Sequence, residues 1–438
     1  MFKRPHLKRT KRQLLSFSTW RLRVVFWSSA IIIGATAAIF ALFSAFTDGA
    51  FHRLYAYSPL LAYCVTPVGL ALIVWLTRQF FVGTEGSGIP QAIAALSMKD
   101  RALRASVLSL RIAIGKIILT CAGLLSGASI GREGPTVHVG ASLMYSVRHF
   151  FPMRSKNMHR SLILAGGAAG ISAAFNTPLA GIMFAIEEMN RNFEERTSGV
   201  LIISVVLAGV TAIAILGSYT YFGNSSAEMP RSLTAWAAII FVAIIGGLLG
   251  GLFSQILIFS TRRLAPLVQQ YPVRVAFVCG LILSLLGFLS GGHTYGTGYE
   301  EARGLMSGQT DIGTAYPVYK ILATIASYLS GIPGGIFAPS LSVGAGVGAA
   351  LSSLISSVPF ETLVLLGMVS YFTGVVQTPI TAFVIVMEMT NGSTMLLPLM
   401  TAALIAKGVS HLVCPQPIYQ AMAEAYLHKL GQAGKVGH

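Results

Sequence analysis

Residues 127–141, GASIGREGPTVHVGA, align without gaps on residues 331–345, GIPGGIFAPSLSVGA, and this internal match organises the rest of the chain. Six of the fifteen positions are identical in the two stretches. Further along, residues 176–190, NTPLAGIMFAIEEMN, follow the same pattern as residues 377–391, QTPITAFVIVMEMTN. The two offsets, 204 and 201 residues, nearly agree. This agreement favours a duplicated unit over chance similarity between glycine-rich apolar segments.

Composition places the duplicated unit in a lipid bilayer. The chain has 438 residues, of which 54% are hydrophobic and only 11% are charged. Soluble domains carry about 25% charged residues, so this chain cannot cover an ordinary water-exposed surface. We therefore predict an all-α integral membrane protein with the bilayer as its main partner.

The positive charge of the chain is concentrated at its N-terminus. Of the 31 Lys and Arg residues, eight lie within the first 24 positions: Lys3, Arg4, Lys8, Arg9, Lys11, Arg12, Arg21 and Arg23. They precede an uncharged run over residues 24–47, which is long enough to span a bilayer. The positive-inside rule then predicts a cytoplasmic N-terminus. This placement argues against nucleic-acid binding, despite a net charge of +16.

Several apolar stretches are too short, or too rich in glycine and proline, to cross a bilayer as simple helices. Residues 136–148 and 316–330 are examples, since a spanning helix needs about 20 apolar residues. Such segments are expected to be broken, re-entrant or buried. Irregular backbone at membrane depth survives where it is buried or lines a watery cavity, so these breaks predict a permeation site between the repeats.

The predicted organisation has four parts. They are a basic cytoplasmic N-terminal segment (1–23), a first membrane repeat (24–225), a second membrane repeat (226–413) and a C-terminal segment (414–438). The four cysteines are far apart and show neither a disulfide framework nor a zinc spacing. No metal site and no cofactor is predicted.

Three short motifs have the composition of helix starts that hold an anion. They are GSGIP at 86–90, GREGP at 131–135 and GIFAP at 335–339. Glycine lets the backbone approach an ion closely. Proline is favoured in the first helical turn because the amide hydrogen that it lacks would have no partner within the helix. Free N–H groups at a helix N-terminus bind an anion without a charged side chain. GSGIP alone is more typical of an ordinary helix-starting turn, so only the three motifs together indicate an anion site.

Glu133, in the second motif, requires a particular explanation. An ionisable group at mid-membrane costs on the order of 3 kcal/mol. Its carboxylate is expected to occupy the same amide-lined site as the anion and to leave it when protonated, which would make Glu133 both a gate and a proton carrier.

In this order along a duplicated apolar chain, the three motifs resemble the signature motifs of the CLC family of chloride channels and transporters. The resemblance covers essentially the whole chain. It implies a CLC-type fold of tilted and re-entrant helices in two inverted repeats, a homodimer with one pore per subunit, and a location in the cell inner membrane with both termini cytoplasmic. It also implies that Glu133 is the external gate. The implied chloride ligands are the hydroxyls of Ser87 and Tyr419 and the amides of Ile336 and Phe337, although Tyr419 also fits an ordinary interfacial aromatic residue.

Glu188 distinguishes an exchanger from a channel within this resemblance. Family exchangers commonly carry an internal proton-transfer glutamate at this position, so the chain is predicted to exchange chloride for protons. Glu187 points about 100° away on a helix and cannot share that role. The alternative is an acidic helix end at the membrane surface, near Arg191 and Glu194.

Two polar residues inside apolar runs stay open on sequence grounds. Lys116 must pair, reach the interface or lose its proton, and it could also tune the anion potential. Some bacterial relatives have acidic residues where this chain has Gln91 and Ile93, so Lys116 lacks a partner there. His138 is five residues after Glu133 and is expected to be held by neighbouring helices rather than to relay protons.

Two other functions compete with the exchanger. A passive chloride channel of the same fold would need no internal proton carrier. An intramembrane enzyme is a remote alternative, because no Ser–His, paired-Asp or HExxH arrangement occurs within the apolar runs. The sequence therefore predicts a transporter, not an enzyme, with chloride and protons as the transported ions.

Overall fold

A computed structural model describes residues 17–151, 156–189, 195–217, 220–225, 227–230 and 232–436, and these are almost entirely helical. The helices of the first half are α1 (Phe17–Tyr57), α2 (Pro59–Phe80), α3 (Ile89–Ser97), α4 (Arg101–Val107), α5 (Leu110–Leu125), α6 (Glu133–Ser146), α7 (Lys156–Phe175), α8 (Pro178–Phe184) and α9 (Glu195–Leu216). The helices of the second half are α10 (Leu233–Gln270), α11 (Pro272–Leu289), α12 (Tyr299–Met306), α13 (Tyr316–Leu329), α14 (Phe337–Leu351), α15 (Phe360–Val376), α16 (Pro379–Thr390), α17 (Leu396–Val413) and α18 (Ile418–Val436). A π-helical turn, Ala185–Met189, follows α8.

Seven helical stretches of the described chain are long and apolar enough to cross a bilayer. Their outer faces carry large apolar side chains, such as Phe43 at 58% and Leu285 at 58% exposure, which would be unfavourable in water. The chain is a multi-pass membrane protein. Six of the eight basic residues predicted to mark the N-terminus, those before Phe17, lie outside the described residues.

The predicted broken segments are short helices. Helices α6 and α13 each have 14 residues, which corresponds to about 21 Å at 1.5 Å per residue. This length is less than the hydrocarbon thickness of about 30 Å. Most of their residues are buried, so both helices pack inside the protein rather than against lipid.

Small residues bring the short helices into close contact with their neighbours. A Cβ atom on Gly140 of α6 would collide with the carbonyl of Gly166 on α7. The same contact recurs in the second half, where Gly344 of α14 lies against the carbonyl of Gly367 on α15. Small residues at such contacts let helices pack closely within a membrane protein.

The two repeats meet through an antiparallel pair of backbone hydrogen bonds. The amide of Gly131 donates to the carbonyl of Gly335, and the amide of Gly335 donates to the carbonyl of Gly131, both at 2.7 Å. Equivalent residues of the two halves thus bond reciprocally, as a twofold relation between them requires. The pairing places the starts of α6 and α14 beside each other at the centre of the protein.

Candidate functional site

The three motifs converge on one place because a backbone bridge also ties the first of them to the third. Gly86 donates to the carbonyl of Ile332 at 3.2 Å and accepts from the amide of Gly334 at 3.2 Å. Gly86 and Gly88 have φ angles of 67° and 99°, which only glycine adopts without strain. The starts of α3, α6 and α14 therefore surround a common point, and their free amides make it suitable for an anion.

Glu133 is the first residue of α6 and is completely buried. A Cβ atom on Gly131 would touch both Oε2 of Glu133 and the amide nitrogen of Ala338, so the carboxylate lies against the first turn of α14. The guanidinium of Arg132 is held elsewhere, since one of its nitrogens donates to the carbonyl of Ala174 at 3.2 Å. The carboxylate occupies a position where the helix dipole of α14 favours negative charge.

The four chloride ligands implied by the resemblance lie around the same point. Ser87, Ile336, Phe337 and Tyr419 are each 1% exposed. The hydroxyl of Ser87 lies against Gly134 of α6, where a Cβ atom would collide with it. The hydroxyl of Tyr419, in the first turn of α18, faces Ser87. Among the described residues, neither hydroxyl has a hydrogen-bond partner, so both remain free to donate to a bound anion.

Lys116 does not reach the surface of the protein, which excludes the interpretation that its side chain extends to the membrane interface. Its side chain is completely buried, and Nζ donates to the carbonyl of Gly86 at 3.0 Å. The partner of this lysine is therefore a backbone carbonyl rather than a carboxylate. Lys116 thereby supports the turn that carries Ser87.

The two adjacent glutamates have separate environments, as their helical spacing predicts. Glu187 accepts from the amides of Ile380 and Thr381 at 3.3 and 2.7 Å and thus caps the N-terminus of α16. Glu188 points inward and is 2% exposed, and its charge lies close enough to interact with Tyr419. A buried Glu188 does not fit the alternative of a surface helix end. Arg191 and Glu194 lie outside the described residues.

His138 has the structural environment that its spacing predicts. It is completely buried, and its Nε2 lies 3.0 Å from the carbonyl of Val107. It packs beside Gly88 rather than in line with Glu133.

A second buried lysine was missed by the sequence analysis. Lys320 lies 204 residues after Lys116, and its Nζ donates to the carbonyls of Thr294, Tyr295 and Gly296 at 3.0 to 3.2 Å. The repeat offset is the signal that could have found it.

The turn Gly296-Thr297-Gly298 precedes α12 as the turn around Ser87 precedes α3, and Gly298 lies beside Lys320 as Gly88 lies beside Lys116. Its anion position is filled from within the chain, since Asp48 of α1 accepts from the amide and hydroxyl of Thr297 at 3.4 and 3.2 Å. Nearby, pairing with Glu301 raises the pKa of His293, which lies in the loop after α11. The second turn is therefore a structural ion cluster, while the first leaves its hydroxyl available.

Comparison with known proteins gives consistent results for sequence and fold. The sequence model of the family described as voltage-gated chloride channel matches residues 69–411. The H(+)/Cl(−) exchange transporter ClcA of Vibrio campbellii is 30% identical over 365 residues, covering 80% of this chain and 76% of the relative. ClcA of Yersinia pestis is 30% identical over 392 residues, covering 85% and 79%.

Two solved structures share the architecture. A slow cyanobacterial Cl−/H+ antiporter superposes with a TM-score of 0.76 at 26% identity, covering 92% of this chain and 98% of the other. A CLC-type fluoride/proton antiporter superposes with a TM-score of 0.78, covering 93% and 99%, and its 22% identity supports the fold alone.

Proposed function

Since the chain belongs to the family of voltage-gated chloride channels, the CLC proteins, we propose that it exchanges chloride for protons across the membrane. The relatives named as H(+)/Cl(−) exchange transporters support this proposal. Chloride and protons are accordingly its transported partners.

Glu133 is proposed as the gate and as the outer proton carrier. In its ionised form the carboxylate competes with chloride for the amides at the starts of α6 and α14. Protonation removes that competition, so chloride enters as the carboxyl group leaves. Ser87 and Tyr419 donate hydroxyls to the chloride, and the amides of Ile336 and Phe337 complete its binding site.

Glu188 is proposed as the inner proton carrier, and its burial is the single observation that carries the exchanger over a channel. A carboxylate that is 2% exposed in a membrane protein is costly unless it has a function. Glu188 lies near Tyr419, one of the proposed chloride ligands. On the inner side of this point, protons can therefore pass through Glu188 along a path that is separate from the path of chloride. A passive channel would have no use for such a group.

The oligomeric state, the location and the division of the chain are part of the same proposal. The family resemblance supports a homodimer with one pore per subunit in the cell inner membrane, with both termini cytoplasmic. The parts 1–23, 24–225, 226–413 and 414–438 remain the proposed divisions of the chain. No enzymatic step is proposed for it.

The substitution Glu188→Gln tests the inner proton carrier. In liposomes, the variant should still carry chloride, while chloride-driven proton movement falls at least tenfold, because an amide cannot take up a proton at neutral pH. Glu424→Gln, which changes an exposed carboxylate on α18, serves as the matched control and should retain both fluxes. Undiminished proton movement in Glu188→Gln would remove this residue from the proton path.

A further inference from the structure

The loop between α9 and α10 contains two aromatic residues that are buried. Tyr221 and Phe222 are 5% and 4% exposed. The loop is anchored to the end of α16, since the amide of Phe222 donates to the carbonyl of Met389 at 2.9 Å and the amide of Ser225 donates to that of Thr390 at 2.8 Å. These backbone contacts anchor the loop that carries Tyr221 to the second repeat.

Aromatic contacts connect Tyr221 to the anion site. Its ring packs edge to face on Tyr299 of α12, with centroids 4.9 Å apart, and on Phe175 of α7 at 5.5 Å. Phe175 in turn contacts Phe337, the first residue of α14, at 5.6 Å. The ring of Tyr221 is therefore held beside the helix start that provides amides to the anion site.

The hydroxyl of Tyr221 faces the carboxylate of Glu133. Among the residues that the structure describes, the other charged or titratable groups that face this carboxylate are Arg132, which precedes it, and Tyr419 from α18, while α14 contributes the amide of Ala338. Arg132 is already bonded to the carbonyl of Ala174, and Tyr419 faces Ser87. Both oxygens of the Glu133 carboxylate lack a hydrogen-bond partner within the described part of the chain, and Tyr221 is the described loop residue whose hydroxyl faces them.

We propose that Tyr221 is a positioning residue of the gate, whose hydroxyl donates to the ionised carboxylate of Glu133 and holds it in the anion site. This inference rests on the proposed role of Glu133 as the gate. The hydroxyl stabilises the ionised, closed form more than the protonated form, because a carboxylate is a stronger hydrogen-bond acceptor than a protonated carboxyl group. Loss of the hydroxyl should therefore let the gate open at a lower proton concentration.

The test is the pH dependence of chloride flux in liposomes containing Tyr221→Phe, which removes the hydroxyl and keeps the packed ring. A hydrogen bond to a charged group corresponds to a shift on the order of one pH unit, so the pH of half-maximal flux should rise by about that amount. Tyr299→Phe, which removes a hydroxyl from the same aromatic cluster, is the matched control and should leave the profile within about 0.2 units of wild type.

A second pair of variants shows whether Tyr221 acts through Glu133. In the Glu133→Gln background, Tyr221→Phe should change neither the flux nor its pH dependence, because no carboxylate remains to be held. An unshifted profile in Tyr221→Phe, a shift equal to that of Tyr299→Phe, or a shift that persists in the Glu133→Gln background would each overturn the inference. These measurements use chloride flux alone, so they are separate from a failure of proton exchange in the wild-type protein.

Discussion

Ser87 is the residue from which we expect anion selectivity to arise. Its buried hydroxyl lies at the meeting point of α3 and α6, and it is a single donor suited to a compact, partly dehydrated halide. Loss of a hydrogen bond to a charged group costs about 1 to 3 kcal/mol, and a larger, weakly hydrated anion such as nitrate should lose least.

The substitution Ser87→Pro should therefore shift binding preference from chloride toward nitrate. Calorimetric titration of both anions into wild type and variant would show it as a lower chloride-to-nitrate affinity ratio. Ser353→Ala, which removes a hydroxyl near the end of α14, should leave the ratio unchanged. Equal ratios in Ser87→Pro and wild type would mean that Ser87 only starts a helix and that selectivity lies elsewhere.

At the residue scale, site residues could be predicted from the sequence where they lie within a short motif whose composition indicates its function. Glu133 and Ser87 were predicted because their neighbours have the composition of helix starts. Lys116 and Tyr221 were not resolved in the same way, because their partners lie far away along the chain. A backbone carbonyl as the partner of a buried lysine leaves no pattern in side-chain identity, and a loop tyrosine has no periodicity.

At the scale of helices, a reciprocal pair of caps joins the two repeats. Glu187 caps α16, and Glu388, 201 residues later, accepts from the amides of Leu179 and Ala180 at 3.1 and 2.8 Å and thus caps α8. Each repeat therefore supplies the carboxylate that satisfies the helix start of the other. The alignment of residues 176–190 with 377–391 already matches Glu187 with Glu388. It does not show that each of these carboxylates caps a helix of the other repeat.

The substitution Glu388→Ala should destabilise the protein by about 1 kcal/mol, since it removes a helix cap and the charge that complements the helix dipole. Thermal unfolding in detergent, followed by circular dichroism, would show a lower midpoint. Glu187→Ala should have an effect of similar size, whereas Glu424→Ala, on an exposed surface, should have almost none. A midpoint of Glu388→Ala equal to that of Glu424→Ala would show that the reciprocal caps do not stabilise the junction of the repeats.

At the scale of the whole molecule, the duplication explains both the fold and the location of the site. The two halves bond reciprocally at Gly131 and Gly335, and the buried glutamate, the free hydroxyls and the helix starts lie where they meet. The sequence predicted two repeats, their short broken helices and the site between them. It did not predict that the turn around Thr297 is closed by Asp48, because that contact joins residues 249 positions apart.

Chloride-driven proton movement by the wild-type protein tests the exchanger most directly. Purified protein is placed in liposomes with a chloride gradient and no pH gradient, the membrane potential is clamped with a potassium ionophore, and the external pH is recorded. The two buried carboxylates, Glu133 and Glu188, predict that chloride moving down its gradient drives protons in the opposite direction until a pH gradient builds up. Chloride flux with no proton movement at all would contradict the exchanger and identify the protein as a passive channel.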